Sequence, residues 1–197
     1  KSAEAYDLYL RGRHAYNKFD KEGLESAASY FEQISELDPT SVPALEWLAL
    51  AQEVSAEQRY VKPHEGFERS RLSAQRVLGL DPKSGMAHAT LSWIHLVYDW
   101  DWAAAEREAK EALRLKPRDP LTIGTLGEVN KVLGRWDEAS RLLKTALALD
   151  PLYPDWDAVQ CGVHAANGRL SEAEAEARKV LEISPTFGGG HLVLGEV

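Results

Sequence analysis

Small and apolar residues recur along this chain at intervals of four and then three. The trios are Ala27, Phe31 and Ile34; Ser70, Ala74 and Val77; Ala105, Ala109 and Ala112; Ala139, Leu143 and Ala146; Ala173, Ala177 and Val180. That spacing sets each trio on one face of a helix, whereas a half-buried strand would alternate with period two, and no such alternation occurs. Each trio runs on into a proline: Pro39, Pro82, Pro117, Pro151 and Pro185, spaced 43, 35, 34 and 34 residues apart. Proline has no amide proton to continue a helix, so each marks a stop. A fixed period near 34 is the signature of stacked helical hairpins. The pattern predicts an all-α chain of eleven helices and no sheet. The hairpins fall at 5–37, 42–80, 85–115, 120–149 and 154–183, with a last partial helix near 187–197.

The clearest unit runs from Pro120 to Pro151. Its first helix carries Ile123, Leu126, Gly127 and Asn130, a turn follows at Gly134, and the second helix carries Ala139, Leu143 and Ala146. Gly127 and Ala139 are small because two helices of a hairpin cross closely there. This unit resembles the tetratricopeptide repeat, in which an aromatic would stand where Asn130 does. The other units follow the pattern with departures. The fifth has Cys161 in the small slot and a turn at Gly168; the third has Leu91 and Ser92 and about one extra residue in its turn. The second begins Trp47, Leu50, Ala51 and Val54 and has about seven extra residues around Arg59 to Gly66. The first has Leu8, Gly12 and Ala15, with about three extra near Asp20.

The resemblance implies a right-handed α-α superhelix, a solenoid forming one domain over 1–197. Its repeats would be 5–39, 42–82, 85–117, 120–151 and 154–185, with a truncated sixth at 187–197. It also implies a scaffold for protein–protein interaction, holding a peptide or partner protein in a concave groove lined by the first helices. Two stretches, Ala5 to Arg13 and Tyr98 to Trp102 with Ala105 to Glu108 after it, are similar to repeat regions of bacterial signalling proteins: adenylate cyclases, winged-helix regulators and serine/threonine kinases. That similarity implies an alternative, a cytoplasmic regulatory or sensor arm of such a protein. A chain that opens on Lys1 and stops inside a new repeat reads as a piece of something longer.

Composition narrows the partners. A net charge of −8, from 23 basic and 31 acidic residues, argues against binding a phosphate backbone. No apolar run approaches the ~20 residues that span a bilayer. The one cysteine builds neither a disulfide nor a thiolate metal site, and Cys161 reads as a packed thiol. His88 and His95 stand two helical turns apart, and the other histidines lie in different repeats, which fails the usual zinc templates. Gly188-Gly189-Gly190 lacks the Lys-Ser/Thr of a phosphate loop. No catalytic residue, cofactor or metal ligand is predicted.

Mapping outward positions of the first helices gives the predicted groove: Tyr6, Tyr9, Arg13, Tyr16 and Asn17, then Leu48, Gln52 and Ser55, then Ala89, Trp93 and Leu96, then Thr125, Glu128 and Lys131. Of these, Tyr6, Tyr9, Arg13, Tyr16, Asn17, Gln52, Trp93, Glu128 and Lys131 are the predicted partner-binding residues. Aromatic side chains bring large contact area at little entropic cost, and Arg13 and Lys131 can meet an acidic group. The competing reading is that Tyr6 and Tyr16 pack against the next repeat. The Lys/Asn and Lys/Arg carboxylate clamp of chaperone-binding repeats is absent, since Tyr9, Arg13, Ala49, Met86 and Thr90 stand in its places.

Three further features carry expectations. Trp102 and Trp136 each precede a second helix and read as plugs over their hairpins, while Trp100 reads as open to a contact. The cations Arg59, Lys62, Arg69, Arg71 and Arg76 read as a solvated face, or else as a dock for an acidic partner. At the C-terminal end only Leu192 and Leu194 are left to cover Ala173, Ala177, Val180 and Leu181. That end is therefore predicted to fray or to form a weak homodimer.

Overall fold

The computed structural model describes residues 2–150, 154–183 and 195. Helices α1 (Ser2–Tyr16), α2 (Lys21–Leu37), α3 (Val42–Glu57), α4 (Pro63–Leu80) and α5 (Gly85–Ile94) come first, and α5 continues into a π-helical turn, His95–Asp99. Then follow α6 (Trp102–Leu115), α7 (Pro120–Val132), α8 (Trp136–Leu149), α9 (Pro154–Ala166) and α10 (Leu170–Ile183). No strand occurs among the described residues. The helices fall where the apolar trios and prolines put them. The predicted eleventh helix, the sixth repeat and the homodimer surface at Leu192 and Leu194 lie outside the described residues.

The chain divides into two compact units, Lys1–Asp101 and Trp102–Val197. In the first, α1 and α2 pair around Phe31, which is wholly buried with Leu24, Ala27 and Ile34. Gly12 is needed at the crossing, because a Cβ there would stand 2.7 Å from the Phe31 ring. The recurring Leu-Asp-Pro phrase has a direct cause. Asp38 and Asp81 donate their backbone amides to Ile34 and Val77, 2.8 and 2.7 Å, closing the helix. Their carboxylates then accept from the amides of Thr40 and Lys83, both at 3.0 Å, wrapping the turn around the proline. Asp20 and Ser84 accept from Gly23 and Ala87 and so cap α2 and α5.

Two of the extra segments are absorbed in helix rather than in loop. Between α3 and α4 the insertion lengthens the helices themselves, to 16 and 18 residues, against 13 and 14 in α7 and α8. The extra residue of the third unit becomes the π-helical turn, which ends on Trp100 in the left-handed region at φ 58°.

In the second unit Gly127 packs against Leu143, 2.9 Å from a built Cβ, and Gly134 at φ +73° makes the α7–α8 turn. Asn130, the residue out of pattern, accepts from Arg135 Nη1 at 3.2 Å, and Arg135 also pairs with Glu106. A polar anchor for the turn thus replaces the expected aromatic plug. Cys161 is buried against Ala173 and Ala177, and Gln160 donates to Ser140 across α8 and α9 at 2.9 Å.

Candidate functional site

In the first unit the sequence register holds on α1 but slips on α3. The α3 residues that meet α4 are Ala49, Gln52 and Ala56. Ser70 donates to the Ala49 carbonyl at 2.8 Å, Ser73 donates to Gln52 Oε1 at 2.9 Å, and a Cβ on Gly66 would stand 2.6 Å from Ala56. Ala51, which stands where Gly127 does in the fourth unit, instead packs in the cluster around Phe31. The lengthened helices move the crossing, and a pattern read from the shorter repeats misses the shift. Two consequences follow: Gln52 and Ser55, predicted for the groove, are buried, and Trp47 packs outside its own hairpin, against the cluster around Phe31.

Trp47 lies instead at the seam between α1 and α3. Its ring stacks over Phe31, centroids 6.4 Å apart, and meets Tyr16 edge-on at 5.2 Å. Tyr9 meets Phe31 edge-on at 6.1 Å. The Arg13 guanidinium lies on the Trp47 ring at 3.8 Å and donates through Nη1 to the Tyr9 hydroxyl at 3.3 Å. Tyr9, Trp47 and Met86 are half-buried against one apolar cluster. Tyr6, one turn before Tyr9, is 65% exposed, while Leu10, 49% exposed, lines a shallow pocket with His14, Lys18, Ser26 and Tyr30 between α1 and α2. Tyr16 is only 3% exposed, so it supports the seam from behind and offers a partner nothing. Asn17 is exposed at the end of α1, and Trp93 is half-buried on α5 with its indole nitrogen shielded and lacking an acceptor.

The two predicted residues of the second unit have found each other. Glu128 is 5% exposed and Lys131 reaches it at 2.7 Å, so neither presents an open charge. Below them Glu106 accepts from Arg135 and Lys110, which hold its carboxyl down at about 2.

Four of the five cations flanking the α3–α4 insertion are engaged within the chain. Lys62 pairs with Glu65 at 3.1 Å, Arg69 with Glu32 at 3.0 Å and Arg71 with Asp99 at 2.7 Å, while Arg76 donates to the Pro39 carbonyl at 2.7 Å. Arg71 and Asp99, with His95 2.7 Å from Asp99, tie α4 to the π-helical turn, and Tyr98 stacks on Phe67 while its hydroxyl meets His64 at 2.7 Å. This lattice was invisible in the sequence, because it depends on the one-residue bulge. Trp100 stands beside it 72% exposed, as expected, but Trp102 is also 45% exposed and is less of a plug than predicted. A cavity of about 190 Å³ opens between α2 and α4 over Gln52 and Ser55. Among the described residues no group of three or more His, Cys, Asp or Glu is placed to hold a metal ion, and no helix is long and apolar enough to cross a membrane.

Comparison with known proteins places these hairpins. Residues 126–186 match the tetratricopeptide repeat family. Over 103 residues, 48% of this chain, the sequence is 30% identical to cellulose synthase operon protein C of Xanthomonas axonopodis pv. citri (strain 306), and the match spans 7% of that protein's length. The fold matches that of a thermophilic TPR protein from Thermus thermophilus with a TM-score of 0.72 at 23% identity, over 98% of both chains. It also matches YrrB, described as a TPR protein with an unusual peptide-binding site, with a TM-score of 0.56 at 17% identity over 87% of this chain and 84% of that one. The chain has the tetratricopeptide-repeat fold.

Proposed function

We propose that this chain is a protein-interaction scaffold without chemistry of its own, and that its first unit takes a peptide segment of a partner along the α1–α3 seam. The observation that carries this reading is the side-chain set at that seam. Tyr6 projects into solvent one turn before Tyr9, Tyr9 and Trp47 are half-buried against one apolar cluster, and a guanidinium is held flat on the indole. Exposed apolar groups around a fixed polar one are what a partner's anchor residues need. The fold points the same way, since tetratricopeptide proteins bind partners, and YrrB, which shares the fold, has a peptide-binding site. Trp93 extends the proposed surface along α5. Tyr16 and Gln52, being buried, form its support.

Selection of short random peptides against the whole chain tests the reading. Peptides should be enriched whose affinity falls about tenfold or more on Tyr6→Ala, the loss of one anchor, with the thermal midpoint unchanged. If no peptide is enriched, or none responds to the change at Tyr6, the seam is not a binding surface.

A further inference from the structure

We infer that Arg13 is a carboxylate receptor, and that the peptide taken by the α1–α3 seam carries a glutamate or aspartate against it. This rests on the seam being the peptide site and names the chemistry of its partner.

Five other helix arginines of this chain have a carboxylate one turn upstream. Arg11 has Asp7 four residues before it, Arg71 has Glu68, Arg114 has Glu111, Arg141 has Glu138 and Arg178 has Glu174, each paired within 2.6–3.4 Å. A carboxylate one turn upstream is the favourable order for such a pair, and Arg76 and Arg107 share with Arg13 the lack of one. At Arg13 the positions three and four before it are Leu10 and Tyr9, and the position four after it is Asn17. Among the described residues no carboxylate pairs with Arg13. The Arg13 guanidinium is nonetheless held in place. It is half-buried, pressed on the Trp47 ring at 3.8 Å, and tethered by the Tyr9 hydroxyl at 3.3 Å. Its Nε is shielded from water with no acceptor.

A fixed, partly desolvated guanidinium whose charge no carboxylate answers is favourable to pair. The neutral acceptor it has, a phenol, leaves its charge unmatched. A carboxylate matches both the charge and the planar fork of donors, which a backbone carbonyl does not. Packing on the indole lowers the entropy lost on pairing, because the side chain is already held. The anion must come from the partner, and an acidic side chain flanked by apolar residues fits a cation set on Tyr9 and Trp47 with Tyr6 exposed one turn away.

The test uses peptides enriched against the whole chain and measures their affinity by fluorescence polarisation. In peptides that respond to Tyr6→Ala, a single Glu→Gln or Asp→Asn change should weaken binding about tenfold or more, the scale of a charge-assisted hydrogen bond. The same change should have little effect on binding to Arg13→Gln, and Arg13→Lys should restore part of the difference. The peptide substitution needs no altered protein, so the result stands even if Arg13→Gln folds poorly. If neutralising every acid leaves affinity within about twofold while Tyr6→Ala still weakens it, the receptor role is overturned and the seam survives as an apolar site. If no enriched peptide responds to Tyr6→Ala, the seam itself is not the binding surface and both readings fall.

Discussion

The first and fourth hairpins solve the same packing problem and leave different remainders. Each crosses at a glycine under a large side chain, Gly12 under Phe31 and Gly127 under Leu143. In the fourth hairpin Lys131 is answered by Glu128 and Asn130 by Arg135, both from nearby. In the first, Arg13 is answered by an indole face and a phenol, and Tyr6 and Leu10 are left to solvent. Close packing is the shared requirement, and polar satisfaction is where the hairpins diverge. The hairpin left unsatisfied has something to offer a partner.

The largest expected effect tests the shared part. Phe31→Ala should cost about 3–5 kcal/mol and Leu143→Ala about 2–5 kcal/mol, since both side chains are wholly buried. Urea unfolding followed by circular dichroism measures both. Phe31→Ala should also abolish peptide capture, because Tyr9 and Trp47 rest on that ring, whereas Leu143→Ala should leave the affinity of the folded fraction intact. Equal losses of binding in both would erase the distinction between the hairpins.

The next effect separates the answered charge from the unanswered one. Glu128→Gln leaves Lys131 beside a neutral amide at a site where the carboxylate is buried, and should cost about 1–3 kcal/mol. Arg13→Gln breaks no ion pair and loses a cation–π contact worth about 0.5–1 kcal/mol. If Arg13→Gln proves the more damaging of the two without any peptide present, Arg13 is structural.

The acid response sharpens the same contrast through Glu106. Its carboxyl is held at about 2, against an ordinary 4.5, by hydrogen bonds from Arg135 and Lys110. A depressed folded-state value means that the stabilisation is fully present above about 4.5 and is lost as pH falls towards about 2. Wild type should therefore exceed Glu106→Gln in stability at neutral pH, and the gap should close through that window. A gap that stays constant down to about pH 2 would show that the amide loses packing rather than charge.

Much of this was legible in the sequence, and the parts that were not share a cause. Helix positions, the glycine crossings and the Leu-Asp-Pro turns follow from local chemistry, which a single sequence carries in full. The groove was read by counting along each helix from an assumed crossing residue, and that count is only as good as the repeat length. On α1 and α7 the crossing is at Gly12 and Gly127, and Tyr9 and Arg13 lie where α1 meets Trp47. On α3 the lengthened hairpin shifts the crossing, which buries Gln52 and brings Trp47 against Arg13. Partnership was harder still to see. Glu128 and Lys131 were each read as groove residues, though their spacing of three is itself a pairing signal.

The smallest effect on the fold is the most telling for the seam. Tyr6 is 65% exposed, and among the described residues no hydrogen bond or ring contact ties it to the rest of the hairpin. Tyr6→Ala should change unfolding free energy by no more than about 0.5 kcal/mol, as surface substitutions usually do. The same change at an anchor position should lower peptide affinity about tenfold or more. The two numbers together decide whether Tyr6 is surface or site. A stability loss near that of Phe31→Ala would mean that Tyr6 is packed after all, as the competing sequence reading had it. Unchanged stability with unchanged affinity for every enriched peptide would mean that the α1–α3 seam is not the binding surface.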